Sequence, residues 1–239
     1  GLSSRIKRMY RSVTPMWLRQ SRMVAALKKV WTALLPHDVV YDEDYYEEAV
    51  EGAASSAAPP IARAIAEDLR PRTVLDVGCG SGALLESLKS LGVEARGLER
   101  SRAALAICRA KGVEVARFDL EADELSDPGA YDVVVSLEVA EHLPERVADR
   151  YVGLLCRAAP VVVITAAPPG QGGTDHVNEQ PREYWVGKFG RLGFRLQPGL
   201  EERWREDWER EGVVSWYWRN LMVFRSEDAS GKGDPMVRT

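Results

Sequence analysis

Residues 73–82, Thr-Val-Leu-Asp-Val-Gly-Cys-Gly-Ser-Gly, join an acidic strand end to a glycine-rich turn, and a helical run at 83–88 follows directly. Glycine lets the backbone turn tightly and lets a ligand come close to it. The first turn of the next helix adds unpaired N–H groups and a positive dipole end. Such a turn can hold a nucleotide-like cofactor. Gly78, Gly80 and Ala83 satisfy the G-x-G-x-x-G/A spacing of a dinucleotide site, with Glu99 at the distance of a ribose partner. Asp76 argues against that ligand. Its carboxylate, two residues before the first glycine, would repel a pyrophosphate and would favour a cofactor with cationic groups.

S-adenosylmethionine (SAM), with an ammonium and a sulfonium, is such a cofactor. Gly78, Cys79 and Gly80 would face it beside Asp76, and three further apolar runs end in groups that suit its other parts. The run 93–98 ends in Glu99-Arg100, where a carboxylate can accept both ribose hydroxyl protons. The run 113–118 ends in Asp119-Leu120, able to bond an adenine amino group and cover its ring. The run 131–137 ends in Ser136-Leu137-Glu138, followed by Val139-Ala140-Glu141-His142. One polar strand end is common; four in succession, each fitted to a part of SAM, are not.

Methyl transfer asks little of a protein beyond alignment and exclusion of water. A hydroxyl acceptor adds the removal of a proton by a base or a metal. The chain has three histidines, His37, His142 and His176. His176, in a Gly-rich loop after the fifth apolar run, is the first choice for general base, and His142 the second. His37 lies in a Pro-bounded linker and receives no role. Glu138, Glu141 and His142 would share one face of a helix that starts early. With His176 they would offer two carboxylates and two imidazoles to a divalent ion, and the sequence leaves metal use unknown. Trp204, Trp208, Trp216, Tyr217 and Trp218 are read mainly as packing, with Tyr184 and Trp185 set apart as acceptor contacts because they follow His176 closely.

Positioning these groups takes an alternation of strands and helices. Strands are expected at 74–77, 93–98, 113–118, 131–137, 161–165, 194–196 and 221–224. Helices are expected at 61–69, 83–91, 102–110, 145–158 and 182–192. This is an α/β architecture: a Rossmann-like, seven-stranded, mostly parallel sheet with helices on both faces and a helical N-terminal extension. The expected organisation is an extension and linker at 1–58, one domain at 59–226 and a disordered tail at 227–239. The net charge of −4 hides an asymmetry, because residues 1–36 hold eight basic and no acidic residue, leaving −12 on the rest. Val24, Leu27, Trp31 and Leu34 give that arm amphipathic spacing, suited to packing on its own acidic domain or lying on a membrane surface. Nucleic acid is the less favoured partner. Apolar content of 45% and charged content of 28% are those of a soluble globular chain without a membrane span. Cys79, Cys108 and Cys156 show no C-x-x-C spacing, so a cytoplasmic setting is expected, with peripheral membrane contact through the arm.

Over residues 59–226 the chain resembles class I SAM-dependent methyltransferases. Residues 74–82 look like that family's first motif, with Glu99 and Asp119 at its ribose and adenine positions. Residues 136–144 (SLEVAEHLP) resemble the fourth motif of small-molecule and ubiquinone-pathway O-methyltransferases. Residues 169–180 with Tyr184-Trp185, and the segment Trp216-Tyr217-Trp218-Arg219-Asn220, are similar to a bacterial subgroup that appears beside glycan or natural-product genes. The E-x-x-E-H spacing at 138–142 also resembles the metal site of small-RNA terminal 2′-O-methyltransferases. The resemblance implies methyl transfer from SAM to a hydroxyl of a small molecule, sugar or glycan. The alternatives are a metal-assisted RNA 2′-O-methyltransferase, a noncatalytic SAM-binding partner protein and, more remotely, a dehydrogenase.

Overall fold

Valine-rich runs that are apolar at every position form the centre of the molecule. In the computed structural model, which describes residues 51–228, β5 (Val161–Thr165) has all five residues buried. A strand apolar on both sides needs a cover on both sides. Val162 and Ile164 face one core layer, with Leu75, Val77, Val134 and Phe224; Val161 and Val163 face the other, with Val74, Val133, Val135 and Val223. The first layer is closed by α4 (Ala148–Ala158) and α5 (Arg182–Arg191) through Tyr151, Leu155, Trp185 and Phe189. The second is closed by α1 (Glu51–Ala64), α2 (Ala83–Ser90) and α6 (Pro198–Arg210) through Ile61, Leu84, Leu88, Trp204 and Trp208.

The remaining strands are β1 (Thr73–Val77), β2 (Glu94–Glu99), β3 (Glu114–Arg117), β4 (Val133–Leu137), β6 (Phe194–Leu196) and β7 (Leu221–Ser226). They form one seven-stranded sheet in the order β3-β2-β1-β4-β5-β7-β6. Strands β1 to β5 are parallel, and β7 runs antiparallel between β5 and β6. This is the expected α/β sheet. The strand order reverses between β1 and β4, so a crevice opens beyond their carboxyl ends. The helix α3 (Arg102–Ala110) follows β2 and is capped by Ser101.

Four helices differ from expectation. The helix expected from Ile61 begins at Glu51 and runs through Pro59-Pro60 into a π-helical turn, Ile65–Leu69. Ala57, Ala58, Pro60, Ile61 and Ala62 are buried along it, and that packing outweighs the helix bonds two prolines remove. The helix also crosses the boundary expected at residue 58. The helix expected from 145 is a 3-10 turn, Glu145–Val147, leading into α4. Two helices were not anticipated: α6, and the short α7 (Ser215–Arg219). The basic arm, His37 and the tail from 229 lie outside the described residues. Glu227, placed in the expected tail, donates its N–H to Gly193 and pairs with Arg195. Among the described residues no helix is long and apolar enough to cross a membrane.

Candidate active site

The glycine turn leaves β1 where parallel pairing brings Val77 beside Leu98 of β2. Gly78 and Cys79 both donate their N–H to the Leu98 carbonyl, at 2.8 and 3.2 Å. Gly78 sits at φ +77°, and a Cβ there would meet Val139 Cγ2 at 2.5 Å, so both its conformation and its neighbour demand glycine. Glu99, at the end of β2, accepts N–H bonds from Gly80 (2.9 Å), Arg100 (2.7 Å) and Ser101 (2.7 Å). A carboxylate has about four acceptor positions, so Glu99 keeps about one for a ribose hydroxyl rather than two. Burial raises its pKa against the pull of those three N–H groups.

Asp76 is buried and has no side-chain hydrogen bond or ion pair among the described residues. Burial, and then the charge of Glu99, push its pKa up to about 7. A cationic group set beside it would relieve both effects, which suits an ammonium-bearing cofactor. A cavity of about 90 Å³ opens here, walled by Asp76, Gly78, Gly80, Leu137 and Tyr217, with Ala54, Ala57 and Ile61 of α1 across from them. Asp119 lies farther along. Its Oδ1 accepts the Glu121 N–H at 3.0 Å, and its Oδ2 pairs with Arg100 Nε at 3.3 Å. Leu120 packs against the first core layer. The residues expected to hold SAM therefore follow one another across the ends of β1, β2 and β3. A larger cavity, about 250 Å³ between Leu98, Phe118 and Tyr131, contains none of them.

The chain after β4 departs from the expected helix. Glu138 takes φ +54°, its N–H held by Thr165 Oγ1 at 2.8 Å, and only Ala140–His142 forms a 3-10 turn. Glu138 thus does not share a helical face with Glu141 and His142. Its carboxylate instead accepts from Gln171 Nε2 (2.8 Å) and Asn220 Nδ2 (2.9 Å). Glu141 turns inward. It is fully buried, and among the described residues neither carboxylate oxygen makes a full hydrogen bond, although the backbone N–H groups of Glu141 itself and of Ala167 lie near enough to favour its charge. Burial first, and the nearby Glu138 second, hold its pKa well above the ordinary value. Its backbone carbonyl accepts the N–H groups of Val177 (2.9 Å) and Asn178 (3.0 Å), which ties the loop after β5 to this turn.

That tie brings His176 to His142, ring centroids 5.0 Å apart and edge to face. Ligand atoms of Glu141, His142 and His176 all lie within 4.8 Å of one another. His176 Nδ1 lies 3.0 Å from Glu179 Oε1. Burial raises the Glu179 pKa, but N–H groups of Gly170, His176 and Gly172 outweigh it and hold it low, so Glu179 is the acceptor and Nδ1 carries the proton. Nε2 is then the basic nitrogen. It packs over Gly173, where a Cβ would stand 2.1 Å away. A buried carboxylate without a full hydrogen bond, two imidazoles and a carboxylate behind one of them fit a divalent ion.

Sequence reasoning placed His142 and His176 together, and the structure does so. It misplaced Trp185, which is buried in the core edge to face with Tyr151 and Tyr184 and meets no acceptor space. It assigned no role to Gln171 and Asn220, although both stand in the two segments that resemble the bacterial subgroup, and that resemblance was the signal available.

Comparison with known proteins accords with this arrangement. The family described as methionine biosynthesis protein MetW matches residues 61–165. A ubiquinone biosynthesis O-methyltransferase of Pseudomonas paraeruginosa is 33% identical over 133 residues, 51% of each chain. One from Paraburkholderia xenovorans is 41% identical over 83 residues, 32% of this chain and 36% of the relative. The chain thus spans about half or less of the curated relatives it matches. A TehB-like SAM-dependent methyltransferase of Corynebacterium glutamicum superposes with TM-score 0.57 at 18% identity, over 77% of this chain and 98% of that one. The fold is that of class I SAM-dependent methyltransferases. A SAM-bound amino pentose methyltransferase of Micromonospora echinaspora shares this methyltransferase fold with TM-score 0.56 at 20% identity, over 75% and 95% of the two chains.

Proposed function

We propose that this chain transfers a methyl group from SAM to a hydroxyl of a small molecule, sugar or glycan. One observation carries the reading: Glu141, His142 and His176 converge beyond β4 and β5, on the same carboxyl edge of the sheet as the cofactor cradle built from Asp76, the glycine turn and Glu99. SAM, when bound, supplies the activated methyl group. Asp76 balances the charge of the cofactor's ammonium, and Glu99 offers its remaining acceptor position to the ribose. His176, its Nδ1–H fixed by Glu179, takes the acceptor's proton at Nε2. The edge-to-face packing of His142 limits where that ring can turn.

A second reading of the same three side chains is favoured by Glu141, a fully buried carboxyl group that makes no full hydrogen bond among the described residues and stands within ligand distance of both imidazoles. In it, Glu141, His142 and His176 hold a divalent ion, which would supply Lewis acidity that eases loss of the hydroxyl proton. Among the described residues the carboxylates of Glu138 and Glu179 beside this cluster do not favour a phosphate backbone, which counts against RNA as the acceptor.

Calorimetric titration of SAM, with mass spectrometry of hydroxylated acceptors for a gain of one methylene, tests the activity. Failure to bind SAM overturns it. Titration with Mn²⁺ separates the two readings: binding that Glu141→Gln removes supports the ion, and no binding leaves His176 as base. In either case His176→Gln lowers turnover far more than SAM affinity.

A further inference from the structure

Glu138, Gln171 and Asn220 close a ring of hydrogen bonds. Gln171 Nε2 donates to Glu138 Oε2 at 2.8 Å, Asn220 Nδ2 donates to Glu138 Oε1 at 2.9 Å, and the same Nδ2 donates to Gln171 Oε1 at 2.8 Å. Three remote segments meet in it: the end of β4, the Gly-rich loop after β5 and the residue before β7. Glu138 also holds a left-handed backbone, φ +54°, that a non-glycine residue rarely adopts. Strain of that kind persists where the surroundings enforce it, and points to a role.

The ring stands where an acceptor must arrive. Leu137, its chain neighbour, and Tyr217, three residues before Asn220, both wall the cavity beside Asp76 and the glycine turn. On the other side Glu138 is close enough to Glu141 to raise that group's pKa. Through these neighbours in the chain the ring adjoins the cofactor cradle, and through Glu138 it adjoins Glu141 of the histidine cluster.

Its unused valences are unequal. Both hydrogens of Asn220 Nδ2 are spent, while Asn220 Oδ1 and further lone pairs of both Glu138 oxygens remain. Only the second N–H of Gln171 is left to donate. The nearby arginines are engaged elsewhere: Arg182 with Glu201 and the Leu221 carbonyl, Arg205 with the Trp218 and Leu221 carbonyls, and Arg219 over the Trp218 ring at 4.8 Å. An arriving molecule thus meets hydrogen-bond acceptors and negative charge.

Resting on the proposed methyl transfer, we infer that Glu138, held by Gln171 and Asn220, is the specificity-determining residue for the acceptor. It reads a hydrogen-bond donor, a hydroxyl or an ammonium, next to the reacting hydroxyl. The acceptor class is then a polyhydroxylated or amino-substituted molecule without an anionic group near the reacting carbon.

The test uses the full chain saturated with S-adenosylhomocysteine and three probes: methyl β-D-glucopyranoside, its 2-amino-2-deoxy counterpart and the matching uronate. Binding is read by ligand-observed NMR. The neutral and amino glycosides bind about tenfold tighter than the uronate, the discrimination expected when a carboxylate faces a like charge. Glu138→Gln brings the three within about threefold, chiefly by weakening the amino glycoside. Gln171→Ala, at an exposed loop position that leaves folding intact, shifts the order the same way by less. A merely structural ring would change stability without changing the order. Equal binding of the uronate, an unchanged order in Glu138→Gln, or no binding by any probe overturns the inference. Loss of SAM and S-adenosylhomocysteine binding in the unaltered chain would instead strike the methyl-transfer reading, since the glycoside order can be measured without cofactor.

Discussion

The two halves of the crevice are built on opposite terms. At the ends of β1, β2 and β3 the polar groups are largely settled before any ligand arrives: Glu99 accepts three backbone N–H groups, and Asp119 is divided between Glu121 and Arg100. At the ends of β4 and β5 they are not. Glu141 is buried with neither oxygen fully bonded among the described residues, and Glu138 holds a strained backbone. A preformed half suits a ligand whose shape never varies. The half with an unmet electrostatic demand is where binding must supply what folding withheld. Asp76 is the exception within the first half, buried without a partner and pushed up to about 7.

If the halves are separable, the largest effect comes from removing that exception. Asp76→Ala should weaken SAM by about 100-fold or more, as expected when a desolvated charge pair loses one partner. Mn²⁺ affinity at the other half should stay within about twofold, because the sites share no ligand. Calorimetry of both ligands checks this, and a parallel fall in Mn²⁺ binding would merge the halves into one site.

The next largest effect is on the opposite side. If the cluster holds an ion, Glu141→Met should remove Mn²⁺ binding and lower methyl transfer about 100-fold while SAM affinity holds; if His176 acts alone as base, turnover should stay within about tenfold. The same change should raise stability by about 1–3 kcal/mol, since a fully buried carboxyl group held only by weak backbone contacts is replaced by an apolar chain of similar length. Thermal melting of the apo protein reads it. A lowered melting temperature would mean that Glu141 has a structural partner.

The unequal halves also explain what could be read from the sequence. Asp76, Gly78, Glu99 and Asp119 each stand at a strand end, and parallel pairing of consecutive strands brings them together without further information. Glu138 could not be placed, because a left-handed residue breaks the helical face that its spacing to Glu141 implied. Asn220 lies 82 residues from Glu138, and nothing local announces the contact. The helix α6 was legible but missed: Leu200, Trp204 and Trp208 recur every four residues, and Trp204 and Trp208 stack at 5.7 Å on the core side. The early start of α1 was hidden by Pro59-Pro60, which read as a helix beginning.

A smaller change probes the link between the Gly-rich loop and the cluster. Gly173→Ala would set a Cβ 2.1 Å from His176 Nε2, so the ring or the loop must shift. Turnover should fall between about ten- and a hundredfold, the cost of a displacement of about 1 Å at a reacting group. SAM affinity should not change. Equal turnover would show that the loop absorbs the methyl group and that His176 is not held in place by packing.

The smallest effect is a pH dependence, and its sign distinguishes the halves without any substitution. Asp76 binds its proton more tightly in the folded chain than in the unfolded one, where its ordinary value is 3.8. Between about pH 4 and pH 7 the folded apo protein therefore holds the extra proton, and its stability falls as pH rises through that window. An ammonium beside Asp76 favours the carboxylate, so SAM binding expels the proton. Affinity should then rise by about tenfold from pH 6 to pH 8 and level off above, as one group with a pKa of about 7 ionises. Glu141, also raised, gives Mn²⁺ affinity the same direction of change. In Glu141→Met the SAM profile should persist, because its causes, the burial of Asp76 and the charge of Glu99, lie at the ends of β1 and β2. A SAM affinity flat across pH 6 to 8 would mean that Asp76 is already ionised and that its charge is balanced within the folded protein.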